Sequence, residues 1–427
     1  MRFGIASVDI SPPFVTRMAG YGGRLDRFDD IHDPLAFDAV VLEERRRRAF
    51  IGAADLLWFE DTQIMDLRRK VAKIVKAPVD NVLFNASHTH GGPLILDNPS
   101  YFSGNVGSAA PYREWFEKQV LAAAKEAAAG MQQGTLSYGV GKTHVPMNRR
   151  LERDGKVVNA PNPDGKPDDR LQVMVLRDKQ EAIRGILARV SCHPVSTGAQ
   201  HRITAGFPGA FRAACRRAFG PDVIPVFMQG VGGDARPRHV CDGDKWRVMR
   251  HDELTQIGED LLAETIAVLV GRSMKRLGPL SLRGRFRVAD VPCDKTYTTR
   301  QDFENLLANG TGLQRRYAEL ALQAIETTGK AQSTVPVRVQ TIWLTKDTAV
   351  VGIEGEVLMG LGAHVEKSLK PKRAIVLGYC NGSGCYLPDS KELARGGYEQ
   401  TSYLYGGWTG PFKRGIEKVI AGAVWRG

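Results

Sequence analysis

The chain has 427 residues, of which 43% are hydrophobic and 25% are charged, and its formal net charge is +12. This composition is ordinary for a globular enzyme and long enough for one large core or two domains. No apolar run approaches the roughly 20 residues of a membrane-spanning helix, and no signal-peptide pattern is visible, so a cytoplasmic location is expected. The six cysteines lack C-x-x-C spacing and the basic residues are scattered, which argues against a disulfide framework and against nucleic-acid binding.

The N-terminal segment 4–13 is predicted to be a strand that ends in a Pro-Pro turn, followed by the glycine-rich loop 18–24. Two further strand-like segments, 37–44 and 48–58, are expected to pair as a hairpin. The run Arg45–Arg48 lies between them. It is interpreted as a solvated hairpin tip, with a binding patch for acidic partners as the alternative.

The next predicted elements form a β-α-β unit. Apolar residues at helical spacing predict an amphipathic helix over 62–77, and the apolar run 82–84 predicts a buried strand. This order favours parallel pairing of 48–58 with 82–84. Pro111, at a first helical position, begins another predicted helix, which ends at Gly130.

Beyond Gly130 the chain is predicted to alternate strands and helices. The Gly-, Pro-, Asn- and Asp-rich stretch 148–169 is expected to be irregular. Residues 278–335 are interpreted as a helix-rich excursion that either covers the site or forms a structural layer. Without repeats or clear linkers, 1–427 is predicted to be one mixed α/β domain, with mixed sheets flanked by helices. Strands are expected at 135–143, 171–176, 183–190, 223–228, 337–344, 349–353 and 374–377, and helices at 211–219, 254–269, 303–325 and 411–425.

The stretch 81–93, NVLFNASHTHGGP, is the most informative part of the sequence. The buried strand ends in small and polar residues, and His88-Thr89-His90 follows before Gly-Gly-Pro stops regular structure. In extended backbone, residues two apart project to the same side, so His88 and His90 are expected to face one pocket. Solvated loop histidines are the alternative, but a buried strand that delivers two imidazoles favours half of a metal site.

Five predicted strands end in the same way, in small residues followed by a polar side chain that could take part in chemistry. Sites in open α/β sheets form at the carboxyl ends of strands, so these side chains are expected to converge. Each has a simpler interpretation as a cap or a core residue. Two imidazoles and one carboxylate suit Zn²⁺ and leave room for water. The five residues are His88, His193, Asp234, Glu356 and Tyr386.

Several motifs resemble those in the catalytic domain of the neutral/alkaline (non-lysosomal) ceramidases, a family of zinc-dependent amide hydrolases. HTHGGP is similar to the family's most specific motif, H-T-H-S-G-P, and the likeness extends over nearly the whole chain. The resemblance is to the catalytic domain only, and the family's C-terminal immunoglobulin-like domain is not expected here. The matching pieces are VDISPP, MAGYGGR, IHDPL, ADLL, NASHTHGGP, MNRR, CHP, QGVGGD, EGE and the spacing from Tyr386 to Tyr398, which Glu399 follows.

The resemblance also implies a role for individual residues. His90 would lie beside the scissile bond as the general acid/base, and Tyr398 with Arg149 would contact the substrate and stabilise the oxyanion. Glu354 is the less favoured alternative to Glu356 as the glutamate ligand. The tyrosine ligand, Tyr386, is suggested by the resemblance alone. The implied zinc ligands are His88, His193, Glu356 and Tyr386.

One motif departs from the family. Its G-D-x-S-P loop carries a serine at the reaction centre, where this chain has Arg236, so no serine-assisted step is possible there. A guanidinium suits carboxylate, phosphate or sulfate, and Asp234, Arg238 and Arg149 are expected nearby. The substrate is therefore expected to be small and anionic rather than ceramide. The alternative is that Arg236 only pairs with Asp234 or another loop acid.

The sequence leaves three functions open. The favoured one is a zinc hydrolase that cleaves an amide, or second an ester, with metal-activated water. A metal-dependent phosphoric-ester hydrolase is suggested by the arginines, and a catalytically silent, metal-stabilised binding protein by the missing serine. The expected partners are Zn²⁺ and a small-molecule substrate, and the sequence does not determine the oligomeric state.

Overall fold

The computed structural model describes residues 1–22, 24, 26–97, 108–370 and 372–427, so Gly23 of the predicted glycine-rich loop lies outside the described residues. Its strands are β1 (Arg2–Asp9), β2 (Asp30–Ile31), β3 (Ala36–Glu44), β4 (Arg47–Ala54), β5 (Val82–Ala86), β6 (Gln132–Lys142), β7 (Pro146–Arg153), β8 (Lys156–Asn162), β9 (Arg170–Asp178), β10 (Ile183–Val190), β11 (Arg202–Ile203), β12 (Ile224–Gln229), β13 (Ala235–Pro237), β14 (Cys241–Asp242), β15 (Lys245–Trp246), β16 (Lys275–Leu277), β17 (Arg283–Pro292), β18 (Thr334–Trp343), β19 (Thr348–Ile353), β20 (Glu356–Val357), β21 (Arg373–Leu377) and β22 (Tyr386–Leu387).

The helices are α1 (Asp61–Val75), α2 (Ala110–Ala129), α3 (Phe207–Phe219), α4 (Leu254–Val270), α5 (Arg300–Asn309), α6 (Gly312–Thr328), α7 (Met359–Leu369), α8 (Ser390–Arg395) and α9 (Ile416–Ala423), with short 3-10 helices at Val79–Asn81, Arg238–Val240 and Gln400–Tyr405. Among the described residues, no helix is both long enough and apolar enough to cross a membrane.

Two mixed sheets dominate the fold. The larger has nine strands in the order β12-β10-β9-β6-β1-β3-β4-β5, with β16 paired to β6. Most neighbours are antiparallel, but β4 pairs with β5 and β10 with β12 in parallel. The second sheet has the order β17-β18-β19-β21, and its β19–β21 pair is parallel. The predicted mixed α/β fold is confirmed.

The two sheets pack face to face between layers of helices because their strands are apolar on both faces. Leu83 of β5 and Ile375 of β21 lie in the core between the sheets. The adjacent Phe84 faces α1 and α2 on the outer side of the large sheet, while Val376 faces α7 and α9. Successive side chains of a strand point to opposite faces, so each strand serves two cores.

The carboxyl ends of β5, β12 and β21 are joined by one buried amide. The side-chain NH₂ of Asn85 donates to the carbonyls of Gln229 (3.2 Å) and Gly378 (2.8 Å), and its oxygen accepts from the Gln229 N–H (2.8 Å). Asn85 is fully buried. These bonds hold the loops after three strands against one another, where the predicted site residues lie.

Most predicted elements are confirmed, including the 37–58 hairpin and the parallel pairing of β4 with β5. The prediction that residues 148–169 are irregular is wrong, because β7 and β8 form an antiparallel hairpin there. The predicted strand 374–377 is not followed by irregular structure alone, since Tyr386–Leu387 forms a further strand, β22, beside β20. The segment 278–335 contains β17, α5 and α6, and α6 packs against the Gln400–Tyr405 turn.

A buried arginine spans the two sheets. Arg189 of β10 is fully buried; its Nη1 lies 2.5 Å from Asp168 Oδ2, and its Nε donates to the Val376 carbonyl at 3.1 Å. Burial alone would raise the pKa of Asp168, but Arg189 and Arg170 outweigh it and hold that pKa below its usual range.

Arg189→Met should therefore destabilise the protein by about 3–5 kcal/mol, because it removes one partner of a buried ion pair. Arg184→Met is the matched control, since Arg184 of the same strand is 36% exposed and its partner Asp178 keeps the N–H groups of Gln180 and Ala182 as donors. Urea unfolding should show a large shift for the first variant and almost none for the second. Equal shifts would contradict the structural role given to Arg189.

Candidate active site

The site lies in a cavity of about 920 Å³, called here the main cavity, beyond the carboxyl ends of β4, β5 and β19. Its inner end is lined by His88, His90, Glu356, Tyr386 and Tyr398, and apolar side chains such as Trp58, Val337 and Trp408 line other parts. Four of the strand-end residues predicted to converge thus lie together: His88, Glu356 and Tyr386 line the cavity, and His193 contacts Glu356.

His88 reaches the cavity through a backbone conformation that the sequence did not predict. Its φ is +62°, in the left-handed region, so the expectation of extended backbone from His88 to His90 is wrong. The two rings nevertheless lie 5.0 Å apart in the same cavity. Backbone in this region is uncommon for residues other than glycine and is concentrated at functional sites.

Each of the two buried histidines is fixed by a backbone carbonyl. His88 Nδ1 lies 2.9 Å from the Leu57 oxygen, and His193 Nδ1 lies 2.5 Å from the Gly232 oxygen. A carbonyl oxygen can only accept a hydrogen bond, so each Nδ1 carries a proton. In the neutral tautomer that such a bond selects, Nε2 carries the lone pair.

Both Nε2 atoms point at one carboxylate. Glu356 Oε2 lies 2.7 Å from His193 Nε2 and 3.4 Å from His88 Nε2. Burial, followed by the nearby Arg149, lowers the pKa of His193 to about 3, so its ring is neutral at pH 7. Burial would raise the pKa of Glu356, but the two histidines outweigh it and hold that pKa well below its usual range. The Glu356 carboxylate is therefore ionised, and either a proton shared with the Nε2 atoms or a bound cation would stabilise so close an approach.

The two glutamates of the EGE motif have different partners. Glu354 binds Arg338, whose Nη1 lies 2.5 Å from Glu354 Oε1 and 2.9 Å from Asp61 Oδ1. Glu356, the glutamate that the sequence analysis favoured, faces the histidines. Because Glu354 is already neutralised by an arginine, Glu356 is the better candidate for binding a cation.

The His90 ring lies beside those of His88 and His193. Neither of its ring nitrogens has a hydrogen-bond partner among the described residues. Burial lowers the pKa of His90 well below its usual range, and His88 and His193 add to the effect. A side chain on Gly20 would come within 2.8 Å of the His90 ring, so the glycine-rich loop packs against this histidine.

Two sets of donors could hold a metal ion here. The ring nitrogens of His88, His90 and His193 lie within 4.8 Å of one another, which makes a three-histidine site possible. The alternative uses Glu356 in place of His90. The shared Glu356 oxygen between two fixed Nε2 atoms favours the second set, since a bound carbonyl on the other ring nitrogen is a common feature of metal-binding histidines.

Arg149 connects the tyrosines to the loop that follows β12. Its Nη2 donates to the Gly233 carbonyl at 2.7 Å and to the Tyr386 hydroxyl at 3.0 Å. The Tyr398 hydroxyl lies 3.4 Å from that of Tyr386, and Tyr398 is 36% exposed at the cavity. The three residues thus form one polar group beside Glu356.

The predicted substrate-binding residues are dispersed. The Asp234 carboxylate turns away from the histidines and accepts the Met359 N–H at 3.1 Å, and burial raises its pKa to about 7. Arg238 is exposed. Arg236 stacks on Trp246 and donates to the Val195 carbonyl, and it pairs with no carboxylate among the described residues. Its buried Nε has no hydrogen-bond partner in the part of the chain that the structure describes.

Two site residues were missed by reasoning from the sequence. Tyr379 is fully buried, has a φ of +56°, and its ring lies 4.3 Å from that of His88. Asn85 carries the strand-end bonds described above. Asn85 lies within the stretch 81–93 and Tyr379 follows the predicted strand 374–377, but nothing in their residue types or spacing indicates these contacts.

No family model and no curated protein matches the sequence. Among solved structures, the chain is similar to the neutral ceramidase of Pseudomonas aeruginosa, with a TM-score of 0.75 and 19% identity over 99% of this chain and 73% of that one. It is also similar to a ceramidase complexed with C2, with a TM-score of 0.76 and 18% identity over 99% of this chain and 74% of that one. The resemblance seen in the motifs is therefore confirmed at the level of the fold.

Proposed function

We propose that the protein is a zinc-dependent hydrolase that cleaves an amide bond, with an ester as the second possibility. The observation that carries the proposal is the approach of two imidazole lone pairs to the Glu356 carboxylate. A cation between three buried donor atoms this close together would stabilise them. The fold likeness to ceramidases supports an amide as the bond that is cleaved.

The donor set fits zinc. Nitrogen and carboxylate ligands suit Zn²⁺, and His88, His193 and Glu356 would hold it with Tyr386 completing the set. When bound, zinc would supply Lewis-acid activation of water and of a carbonyl group. The carbonyls of Leu57 and Gly232 fix the orientation of the two imidazoles.

The chain's own groups account for the remaining chemistry. The unpartnered nitrogens of His90 could accept a proton from water and pass it to the leaving group. The Tyr398 hydroxyl and the Arg149 guanidinium would stabilise negative charge on the carbonyl oxygen.

Replacing Glu356 should remove the metal, whereas replacing Glu354 should not. We expect Glu356→Gln to lower zinc affinity on the order of a hundredfold or more, because even outer-sphere partners of metal ligands contribute 10–100-fold. Glu354→Gln is the matched control, since its partner is Arg338. Chelator competition followed by elemental analysis measures both. Unchanged affinity in the Glu356 variant would exclude it as a ligand.

A second prediction distinguishes the two donor sets. If His90 transfers protons, His90→Ala should keep its zinc while turnover falls by about 10²-fold or more. Zinc content and the hydrolysis rate on an amide panel would be measured on the same preparation. Loss of zinc together with activity would instead assign His90 as a ligand, in the three-histidine arrangement.

The proposal includes a small, anionic substrate. Arg236 supports it, because its buried Nε has no hydrogen-bond partner among the described residues. Burial lowers the pKa of Arg236, and Tyr21, which packs edge-on against His90, opposes that shift. The expected pairing of Arg236 with a loop acid has no support among the described residues.

Carboxylates that line the main cavity do not argue against an anion, because each has a partner. Glu60 accepts the N–H groups of Thr62 and Gln63 at the start of α1, and Asp97 binds Arg113. Of the other three acids, Asp61 and Glu354 share Arg338, and Glu356 faces the histidines.

Arg236→Ser should raise KM for an anionic amide by about 10–100-fold, since a hydrogen bond to a charged group contributes about 1.5–3 kcal/mol. Zinc content and kcat on a neutral amide should not change. Arg238→Ser, at an exposed position of the same loop, is the control and should leave KM unaltered. Efficient cleavage of ceramide by the unaltered protein would count against an anionic substrate.

A further inference from the structure

A second cavity, of about 450 Å³, is lined by an excess of basic side chains. We call it the basic cavity. Its cations outnumber its two carboxylates, Glu44 and Asp347, and Glu44 already faces the N-terminal amine at 3.7 Å. The cations are Arg45, Arg47, Arg276, Lys346 and Arg373.

These cations come from four separate parts of the chain. Arg45 and Arg47 belong to the β3–β4 hairpin, Arg276 to β16, Lys346 to the β18–β19 turn and Arg373 to β21. None of the five forms an ion pair with a carboxylate in the part of the chain that the structure describes. Like charges gathered around one cavity repel each other, so a bound anion would relieve an unfavourable arrangement.

The backbone conformation of the hairpin tip indicates that its positive charge has a function. Arg45 and Arg46 are the two residues between β3 and β4, with φ values of +48° and +66°. Two-residue hairpin loops with positive φ at both positions strongly prefer Asn-Gly, because a side chain on Cβ disfavours this conformation. Two arginines here break the local preference, and such exceptions are expected at functional positions.

The basic cavity is separate from the main cavity. β4, β19 and β21 each begin beside the basic cavity and end near the histidines. The two cavities therefore lie at opposite ends of the same strands and have no lining residue in common.

We propose that the basic cavity binds a multivalent, phosphate-bearing anion. Guanidinium groups bind phosphate oxygens through paired, charge-assisted hydrogen bonds, and four convergent segments can contact several oxygens at once. The anion is either a free oligophosphate or the phosphorylated head group of a lipid. This site is independent of the proposed hydrolase activity.

The test uses inorganic triphosphate as the probe, with binding to the full chain measured by calorimetry at low ionic strength. Saturable binding is expected, and Arg276→Ala with Lys346→Ala should weaken it by about 10–100-fold, the effect of losing charged hydrogen bonds. The matched control is Arg287→Ala with Arg414→Ala, which removes the same charge from exposed positions outside the cavity. Absence of binding, or an equal loss in the control, would overturn the proposal.

A second variant tests the hairpin argument. Arg45→Asn with Arg46→Gly should raise the thermal unfolding midpoint while weakening triphosphate binding, because the new turn residues suit the backbone but lack charge. Unchanged binding in this variant would contradict a role for the tip. Sedimentation with vesicles containing a phosphoinositide then identifies the source of the anion. Binding that triphosphate displaces indicates a lipid head group, and triphosphate binding without vesicle binding indicates a free oligophosphate.

Discussion

The site depends on the fixed orientation of two imidazole rings. Once the carbonyls of Leu57 and Gly232 hold the Nδ1 protons of His88 and His193, the two Nε2 atoms have to face the Glu356 carboxylate. Such an arrangement is unfavourable in a buried, empty environment and favourable around a divalent cation. Chemistry at the inner end of the main cavity follows from this one electrostatic constraint.

The sheets are arranged to impose that orientation. Parallel pairs β4–β5, β10–β12 and β19–β21 bring strand ends from distant parts of the chain to the same place. Asn85 then ties three of these ends together through backbone groups, and Arg149 extends the network to the tyrosines. Because buried polar groups have few alternative partners, the loops have little freedom to rearrange.

Hydrophobic periodicity predicted most strands and helices, since a strand or helix that serves a core must follow the matching pattern. It failed at β7, where the buried residues include Arg149 and Arg150, whose partner acids Glu392 and Glu399 lie far along the chain. The strand-end rule brought His88, His193, Glu356 and Tyr386 together but not the Asp234 carboxylate, because it locates a residue and not the direction of its side chain. The left-handed backbone of His88 and the convergence of cations on the basic cavity arise from tertiary structure, which local sequence does not encode.

X-ray absorption at the zinc edge tests the central claim most directly. Zinc-loaded protein should give a first shell of nitrogen and oxygen at about 2.0–2.2 Å. Multiple-scattering features should correspond to two imidazoles, those of His88 and His193. A three-imidazole spectrum would contradict the assignment of Glu356 in place of His90. Failure to retain zinc after dialysis would contradict the account of a cation held between Nε2 atoms and a carboxylate.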